Sequence, residues 1–264
     1  RLELDEGAIG VVALERYGSP YPEETRAKVL ASRAVLLGAV GGAQAGQERY
    51  ALRPEAGLLE LRRSMRLYAN VRPVRVPDVL VPCSPLKPEV VQGTDLVVVR
   101  ELLGGLYFGE PRGREQNARG DEAARNTMYY TASQIERVAR KAFALARDRR
   151  RSVVSVDKAN VLEEYPDVSL SHQYVDNCAM QLIRDPRQFD VIVTENMFGD
   201  ILTDEAAVLT GSIGMLPSAS LGSEQTLYEP IHGSAPDIAG RDVANPVGTV
   251  LSVTMLLQHA LASP

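Results

Sequence analysis

The chain has 264 residues, 45% hydrophobic and 24% charged, enough for two domains or one large α/β unit. A net charge of −5 leaves no basic footprint for nucleic acid, and the absence of Trp with only 5% aromatic residues calls for an aliphatic core. Two cysteines, Cys83 and Cys178, exclude a disulfide framework and a cysteine-rich zinc site, and point to a reducing compartment.

Along the chain, Arg1-Leu2-Glu3-Leu4-Asp5 lacks the apolar stretch of a signal peptide, so the expected location is the cytoplasm, with an organelle left open. Ala34-Val35-Leu36-Leu37-Gly38 predicts a buried strand. The glycines that follow, Gly38, Gly41 and Gly42, do not have G-x-G-x-x-G spacing, so an ordinary Rossmann site is unsupported. An amphipathic helix is predicted over 56–66, and Glu55, Leu58, Leu59 and Arg62 fall at i, i+3, i+4 and i+7 on one helical face. Spacing alone fits a core stripe with capping charges as well as a pocket that joins an apolar patch to a carboxylate clamp.

Arg72 follows in Asn70-Val71-Arg72-Pro73, and Arg100 directly follows the strand-like run Leu96-Val97-Val98-Val99. The carboxyl end of a buried strand is where α/β proteins place ligands, and arginine pairs with carboxylates bidentately. Each arginine taken singly fits a surface ion pair. Arg62, Arg72 and Arg100 taken together suggest a small anionic substrate with more than one carboxylate. Tyr107 lies seven positions beyond Arg100, where its phenol could donate a proton or pack. The polar stretch 110–126 predicts a loop or projecting arm, and 133–147 an amphipathic helix. The basic cluster Arg147-Asp148-Arg149-Arg150-Arg151 reads as a solvated helix end, with cations near the negative terminus of the dipole.

Ser152-Val153-Val154-Ser155-Val156 is the next strand, with Lys158 just after it, either a base of lowered pKa or a strand-end surface lysine. Asp176 ends the pattern Val168 to Val175, as a metal ligand or a helix cap. The run Val191-Ile192-Val193 is a buried strand, and Gly199 is read as the turn from it into a helix. On that helix Asp200 and Asp204 share a face, where two carboxylates repel unless a cation lies between them. A hard divalent cation such as Mg2+ or Mn2+ suits all-oxygen ligation of this kind, and a solvated helix face is the plain alternative. Residues 229–240, dense in Gly, Pro, Ser and Asp, predict irregular backbone; Asp237 and Asn245 could hydrogen-bond a nucleoside, or the segment is a surface loop. The apolar stretch 247–262 is too short and too polar to span a membrane and predicts a core helix.

These segments together resemble the metal-dependent decarboxylating dehydrogenases that act on β-substituted malates, the isocitrate/isopropylmalate dehydrogenase superfamily. The resemblance covers nearly the whole chain and centres on the long signature NMFGDILTDEAAVLTGSIG, residues 196–214. The face made by Glu55, Leu58, Leu59 and Arg62 is similar to the isopropylmalate recognition helix, where leucines hold the isopropyl group and isocitrate enzymes place serine-type contacts. The resemblance implies an α/β, two-domain isopropylmalate-dehydrogenase-like fold, with mixed sheets flanked by helices. A first, cofactor-side domain would comprise 1–67 plus 211–264, incomplete at both termini. A second, dimerisation and metal-site domain would comprise 68–210, with an internal gap near 162–165.

The implied activity is oxidative decarboxylation of 3-isopropylmalate to 4-methyl-2-oxopentanoate, a step of leucine biosynthesis, with NAD and Mg2+ or Mn2+. The alternatives are a related dehydrogenase for isocitrate, homoisocitrate or tartrate, and a truncated non-catalytic subunit. By resemblance Arg62, Arg72 and Arg100 bind the malate carboxylates, with Glu55, Leu58, Leu59 and Val161 completing the substrate site. Lys158 is the base, Tyr107 the acid, and Asp176, Asp200 and Asp204 surround the metal. Glu229, His232, Gly233, Ser234, Ala235, Asp237 and Asn245 hold NAD, with Asp237 on the adenosine ribose. A homodimer with shared active sites is implied, Lys158 and Asp176 reaching the partner subunit's site, and neither nucleic acid nor membrane is a partner.

Three family segments are missing from the sequence: the first strand with its glycine-rich turn, the C-terminal helices and strand, and a helix after Leu162. Parallel strands need a crossover of about a dozen residues or more, which Glu163 and Glu164 cannot supply. The expectation is that the natural polypeptide contains residues this sequence omits, with a truncated product as the alternative.

Overall fold

The computed structural model describes residues 3–42, 53–156 and 167–260. In chain order its elements are α1 (Val11–Tyr17), α2 (Glu23–Ala31), β1 (Ala34–Leu36), α3 (Pro54–Ser64), β2 (Ala69–Arg75) and α4 (Pro88–Val91). There follow β3 (Asp95–Glu101), β4 (Gly113–Gln116), β5 (Glu122–Arg125), α5 (Ala132–Arg147), β6 (Ser152–Val156) and β7 (Ser169–Gln173). The last are α6 (Val175–Arg184), β8 (Val191–Thr194), α7 (Asn196–Ala207), β9 (Pro217–Leu221), β10 (Thr226–Pro230) and α8 (Val247–Ala260). The chain divides into two compact units, Arg1–Leu67 with Ser212–Pro264, and Tyr68–Gly211.

In the second unit β2 pairs antiparallel with β3, and β3, β8, β6 and β7 follow as parallel neighbours. Every residue of β8, and all of β3 beyond Asp95, is buried. Burial without alternation means that both faces of these strands are covered. Successive residues of a strand point to opposite faces, and here they meet different helices. Arg100 lies against Gly199 of α7, whereas Glu101 pairs with Arg137 of α5. The helix α5 starts in a capping box: Thr131 Oγ1 accepts from the Gln134 N–H, and Gln134 Oε1 accepts from the Thr131 N–H. Its buried stripe is Val138, Ala139, Ala142, Phe143 and Ala146. The core is aliphatic, with Phe143 and Phe189 as its fully buried rings in this unit.

In the first unit β1 runs parallel to β10, β10 antiparallel to β9, and α8 packs on all three. Both units therefore carry mixed sheets, which an all-parallel doubly wound fold does not. The helix α8 is not the core helix that its composition predicts. Gly248 and Ser252 are its buried residues, while Val250, Leu251 and Leu257 are exposed. Gly248 lets the start of the helix lie close on the turn before β9; a Cβ there would stand 2.9 Å from the Gly214 carbonyl oxygen.

Of the loop or projecting arm expected over 110–126, the structure shows the arm, built as an antiparallel hairpin of β4 and β5 whose residues are mostly exposed. A further expectation is corrected. The Arg147–Arg151 cluster is not a merely solvated helix end. Arg149 Nε donates to Asp190 Oδ1 at 2.9 Å and its Nη2 to Asp95 Oδ1 at 2.8 Å, and the Arg150 N–H donates to Asp190 Oδ2 at 2.9 Å. Asp190 is fully buried, so the cluster neutralises a carboxylate at the start of β8.

Glu101 gives a pH-dependent prediction. Its carboxylate is buried and accepts from the backbone N–H groups of Leu103 at 2.9 Å and Gly104 at 2.7 Å. Burial outweighs these donors and Arg137, and raises its pKa above the ordinary 4.5. A raised folded pKa means stability that is fully present below the unfolded value and lost as pH rises through the folded one. Glu101→Gln keeps an oxygen acceptor without the desolvated charge. The melting temperature of the variant minus that of the parent should become more positive from pH 4.5 to pH 8; a difference that stays flat with pH would remove Glu101 as the cause.

Candidate active site

The second unit gathers a charged cluster where β2 and β3 meet α7. Asn70 of β2 is the register partner of Arg100 of β3, and Arg72 stands two residues further along β2. Arg72 is 5% exposed and Arg100 3%. Each must therefore find acceptors within the fold. Arg72 Nε donates to Asn70 Oδ1 at 2.6 Å and Nη1 to Thr203 Oγ1 at 2.5 Å. Arg100 Nε donates to Asn196 Oδ1 at 2.9 Å and Nη1 to Asp200 Oδ1 at 2.5 Å. Arg72 also reaches Asp200 at 3.5 Å and Asp204 at 4.0 Å.

Gly199 lies within the first turn of α7 rather than at a turn before it, contrary to expectation. Its role is a close approach: a Cβ there would stand 2.6 Å from Arg100 Cγ and 2.7 Å from its Cβ. The helix can thus sit on the arginine and present Asp200 and Asp204 on one face. Burial raises the pKa of Asp204, the neighbouring Asp200 raises it further, and Arg72 and Arg100 oppose both. A further cation close to these acids would relieve the same repulsion.

Tyr107 follows a sharp turn at Gly104 and Gly105, and its hydroxyl donates to Asp200 Oδ2 at 2.8 Å. Burial raises the phenol pKa first, and the hydrogen bond to Asp200 raises it further. Tyr107 is thus held protonated next to the two acids, in contact with Arg100, whose guanidinium carbon lies 5.6 Å from the ring centroid. Asp176 lies elsewhere. It sits in the first turn of α6, exposed, with Oδ1 accepting from the Asn177 N–H at 2.8 Å. Among the described residues no three acidic, histidine or cysteine side chains of one chain converge to hold a metal. Lys158 and Val161 lie outside the described residues.

In the first unit, α3 opens with Pro54 in its first turn and ends with Arg62 and Arg63 near its negative terminus. Pro54, Gly57 and Leu61 form its buried face together with Arg62, while Leu58 and Leu59 are half-buried and Glu55 is exposed. The leucine pair is therefore not the core stripe of this helix. Arg62 Nη2 donates to Glu229 Oε1 at 2.8 Å, with both side chains about nine-tenths buried.

That pairing changes the reading of Glu229. It lies in strand β10, as does Pro230, and not in the irregular loop with the remaining nucleoside candidates. The rest of that segment is irregular apart from a 3-10 turn at Pro236–Ile238, and is mostly exposed. Ala235 adopts the left-handed region at φ 41°, and His232 Nε2 is buried with no hydrogen-bond partner while its Nδ1 lies 3.0 Å from the Gly233 carbonyl oxygen. Gly41 abuts Ser234, whose Oγ would be 2.7 Å from a Cβ there. Asp237 is exposed, and Asn245 Oδ1 accepts from the Val247 N–H at 3.0 Å at the start of α8. Sequence reasoning missed Asn70, Asn196 and Thr203, the neutral groups that hold the two arginines. Their signal was faint: two of them lie inside the acid-bearing signature and one two residues before Arg72.

Known proteins resemble this chain along its whole length. The isocitrate/isopropylmalate dehydrogenase family matches residues 1–264. A protein of Gloeobacter violaceus named 3-isopropylmalate dehydrogenase is 57% identical over 99% of this chain and 76% of its own length. One of Arabidopsis thaliana named 3-isopropylmalate dehydrogenase 2, chloroplastic, is 57% identical over 97% of this chain and 67% of its own. Among solved structures, isocitrate dehydrogenase from Methylococcus capsulatus superposes with a TM-score of 0.80 at 34% identity, covering 96% of this chain and 75% of that one. With this site geometry and this identity over nearly all of its residues, the chain belongs to the isocitrate/isopropylmalate dehydrogenase family.

Proposed function

We propose that the protein catalyses the oxidative decarboxylation of 3-isopropylmalate to 4-methyl-2-oxopentanoate with NAD and Mg2+ or Mn2+, as a step of leucine biosynthesis. The observation that carries this reading is the cluster of Arg72, Arg100, Tyr107 and Asp200: two buried cations and a protonated phenol converge on one carboxylate beside a second, Asp204. The half-buried leucine pair of α3, next to a buried arginine, favours a substrate with a branched alkyl group.

In this reading Arg62, Arg72 and Arg100 bind the carboxylates, and Glu55, Leu58, Leu59 and Val161 complete the substrate site. Asp200 and Asp204 offer only oxygen donors, in keeping with a hard divalent cation, and Asp176 of the partner subunit adds a third carboxylate. Residues 232–245 hold the nucleotide: the buried, unpartnered His232 Nε2 and the exposed Asp237 suit a polar ligand with hydroxyl groups. NAD, held by residues 232–245, would supply the hydride acceptor, and a divalent ion held by Asp200, Asp204 and the partner's Asp176 would supply Lewis-acid stabilisation of the negative charge that develops. Lys158 accepts the proton of the 2-hydroxyl. The 3-carboxylate, now β to a ketone, leaves as CO2, and its bonding electrons form the enolate. Tyr107 protonates C3, for which its raised pKa keeps the proton available.

A homodimer with shared sites is part of the proposal. Its support is an apolar surface on α6 and α7, which pack together and leave Met180 63% and Ile201 57% exposed, with Val208 beyond them. The thiol of Cys178 is buried on the inner face of α6, its pKa pushed up to about 12 by burial, and Cys83 is also unpaired, as suits a reducing, cytoplasm-like compartment. No helix of the described residues is long and apolar enough to cross a membrane.

The test is NADH formation with Mn2+, followed by identification of the keto acid. 3-Isopropylmalate should be turned over in preference to isocitrate, and NAD used in preference to NADP, because a carboxylate at Asp237 would face the 2′-phosphate. Better turnover of isocitrate or tartrate would move the assignment to another member of the family. Tighter binding of NADP than of NAD would take Asp237 away from the ribose.

A further inference from the structure

Asn196, the first residue of α7, is 1% exposed and uses three polar groups in three directions. Its side-chain Oδ1 accepts from Arg100 Nε at 2.9 Å. Its Nδ2 donates to the Gly104 carbonyl at 3.1 Å, and its backbone N–H donates to the Tyr130 hydroxyl at 2.9 Å. Gly104 belongs to the turn that carries Tyr107, so one planar amide bridges the arginine and the turn. The same turn is gripped from its N–H side by Glu101. The Tyr130 ring covers it so closely that a Cβ at Gly104 would stand 2.4 Å from the ring. The Tyr130 hydroxyl donates in turn to Glu195 Oε2 at 2.9 Å, and Glu195 Oε1 accepts from the Phe198 N–H and caps α7.

A carboxamide offers an acceptor to a guanidinium and a donor to a carbonyl from two separate atoms of one short side chain, which a single hydroxyl does not. Aspartate at this position would keep the acceptor, lose the donor and face the Gly104 carbonyl with negative charge. Alanine would lose both.

The geometry points to Asn196 as a positioning residue that sets the Arg100 guanidinium and the Tyr107 turn in one fixed relation, so that the substrate carboxylate and the proton donor are placed together. The inference rests on the proposed oxidation of 3-isopropylmalate. It adds a residue that touches neither substrate nor cofactor and acts through two that do.

The test compares the unaltered Mn2+-loaded enzyme with Asn196→Ala, Asn196→Asp, Arg100→Lys, and Asn196→Ala combined with Arg100→Lys. Binding of 3-isopropylmalate is measured by calorimetry without NAD, and turnover with it. Losing a buried hydrogen bond to a charged group, Asn196→Ala should weaken substrate binding about tenfold and leave the KM for NAD within about twofold. In the Arg100→Lys background, which lacks the Nε donor, the same change should weaken binding by less than about twofold, because residues that act through one another are not additive. Asn196→Asp should bind substrate more tightly than Asn196→Ala yet lose about tenfold in kcat, because its failure lies in the Tyr107 turn.

Losses that multiply in the double variant, or a matching loss of NAD binding, would overturn the positioning role while leaving the activity assigned. If Asn196→Ala does not fold, the split between binding and kcat in Asn196→Asp decides. An unaltered enzyme that neither binds nor oxidises 3-isopropylmalate would overturn the proposed function, and this inference with it.

Discussion

Lys158→Ala and Asp200→Asn should each abolish oxidation of 3-isopropylmalate as separate proteins, and should recover about a quarter of the parental activity when their subunits are exchanged in equal amounts. The reason lies in where the acids stand. Asp200 and Asp204 share a face of α7, whereas Asp176 starts α6 and the three acids of one chain do not converge. If each site draws Asp200 from one chain and Lys158 and Asp176 from the other, a mixed dimer places both lesions in one site and leaves the second intact. Half of randomly assorted dimers are mixed, and each has one working site of two. Lys158→Ala mixed with Asp176→Asn should recover nothing, because every mixed site then carries one lesion. Asn at position 200 still offers an oxygen to Arg100, which limits the damage to the fold. Its loss of charge nonetheless leaves two buried arginines less well compensated, a change that can cost about 3–5 kcal/mol when a buried pair is broken outright. Tagged subunits show whether exchange has occurred. Tagged mixed dimers of the first pair with no activity would place the whole site within one chain.

Replacing Leu58 and Leu59 together by serine should erase most of the preference for 3-isopropylmalate over isocitrate. Each methylene of apolar contact in a pocket is worth roughly 1–3 kcal/mol of discrimination, so the ratio of the two kcat/KM values should fall at least about tenfold. Both leucines are half-buried on the flank of α3, whose core face is made by Gly57 and Leu61, so the change should lower the melting temperature little. That separates it from a core substitution. An unchanged substrate ratio would remove this face from the substrate site, and a large loss of stability would make the pair ordinary core.

The strands most legible in the sequence were those that bury every residue. Leu96–Val99 and Val191–Val193 are runs of branched apolar residues, and they became β3 and β8. Strand β2 was hidden because its inner positions hold Asn70 and Arg72, which belong to the charged cluster rather than to the apolar core. Strand β9 was hidden because Ser218 and Ser220, both fully buried, read as loop residues. The hairpin β4–β5 is exposed on nearly all its residues and offers no apolar alternation. At the site, the charged groups stood out because unlike charges at strand ends need partners. The amides and hydroxyls that orient them did not, since Asn196 or Thr203 looks the same in sequence whether it holds an arginine or faces water. Glu229 was placed in the nucleoside loop by its neighbours in sequence, whereas its partner, Arg62, lies 167 residues away along the chain. The Arg149–Asp190 contact escaped for the same reason.

Gly199 limits what can be redesigned here. The helix α7 rests on the side chain of Arg100 with no Cβ to separate them. The helix backbone and the arginine thus gauge each other's position, and a single methyl group would push both carboxylates away from the strand at once. If the leucine face of α3 holds the substrate, as proposed, it can be exchanged without altering Gly199 or Arg100. At position 199 even the smallest enlargement must be accompanied by a shift of α7 or by a shorter residue at position 100, and the latter would remove the guanidinium that Asn196 and Asp200 hold.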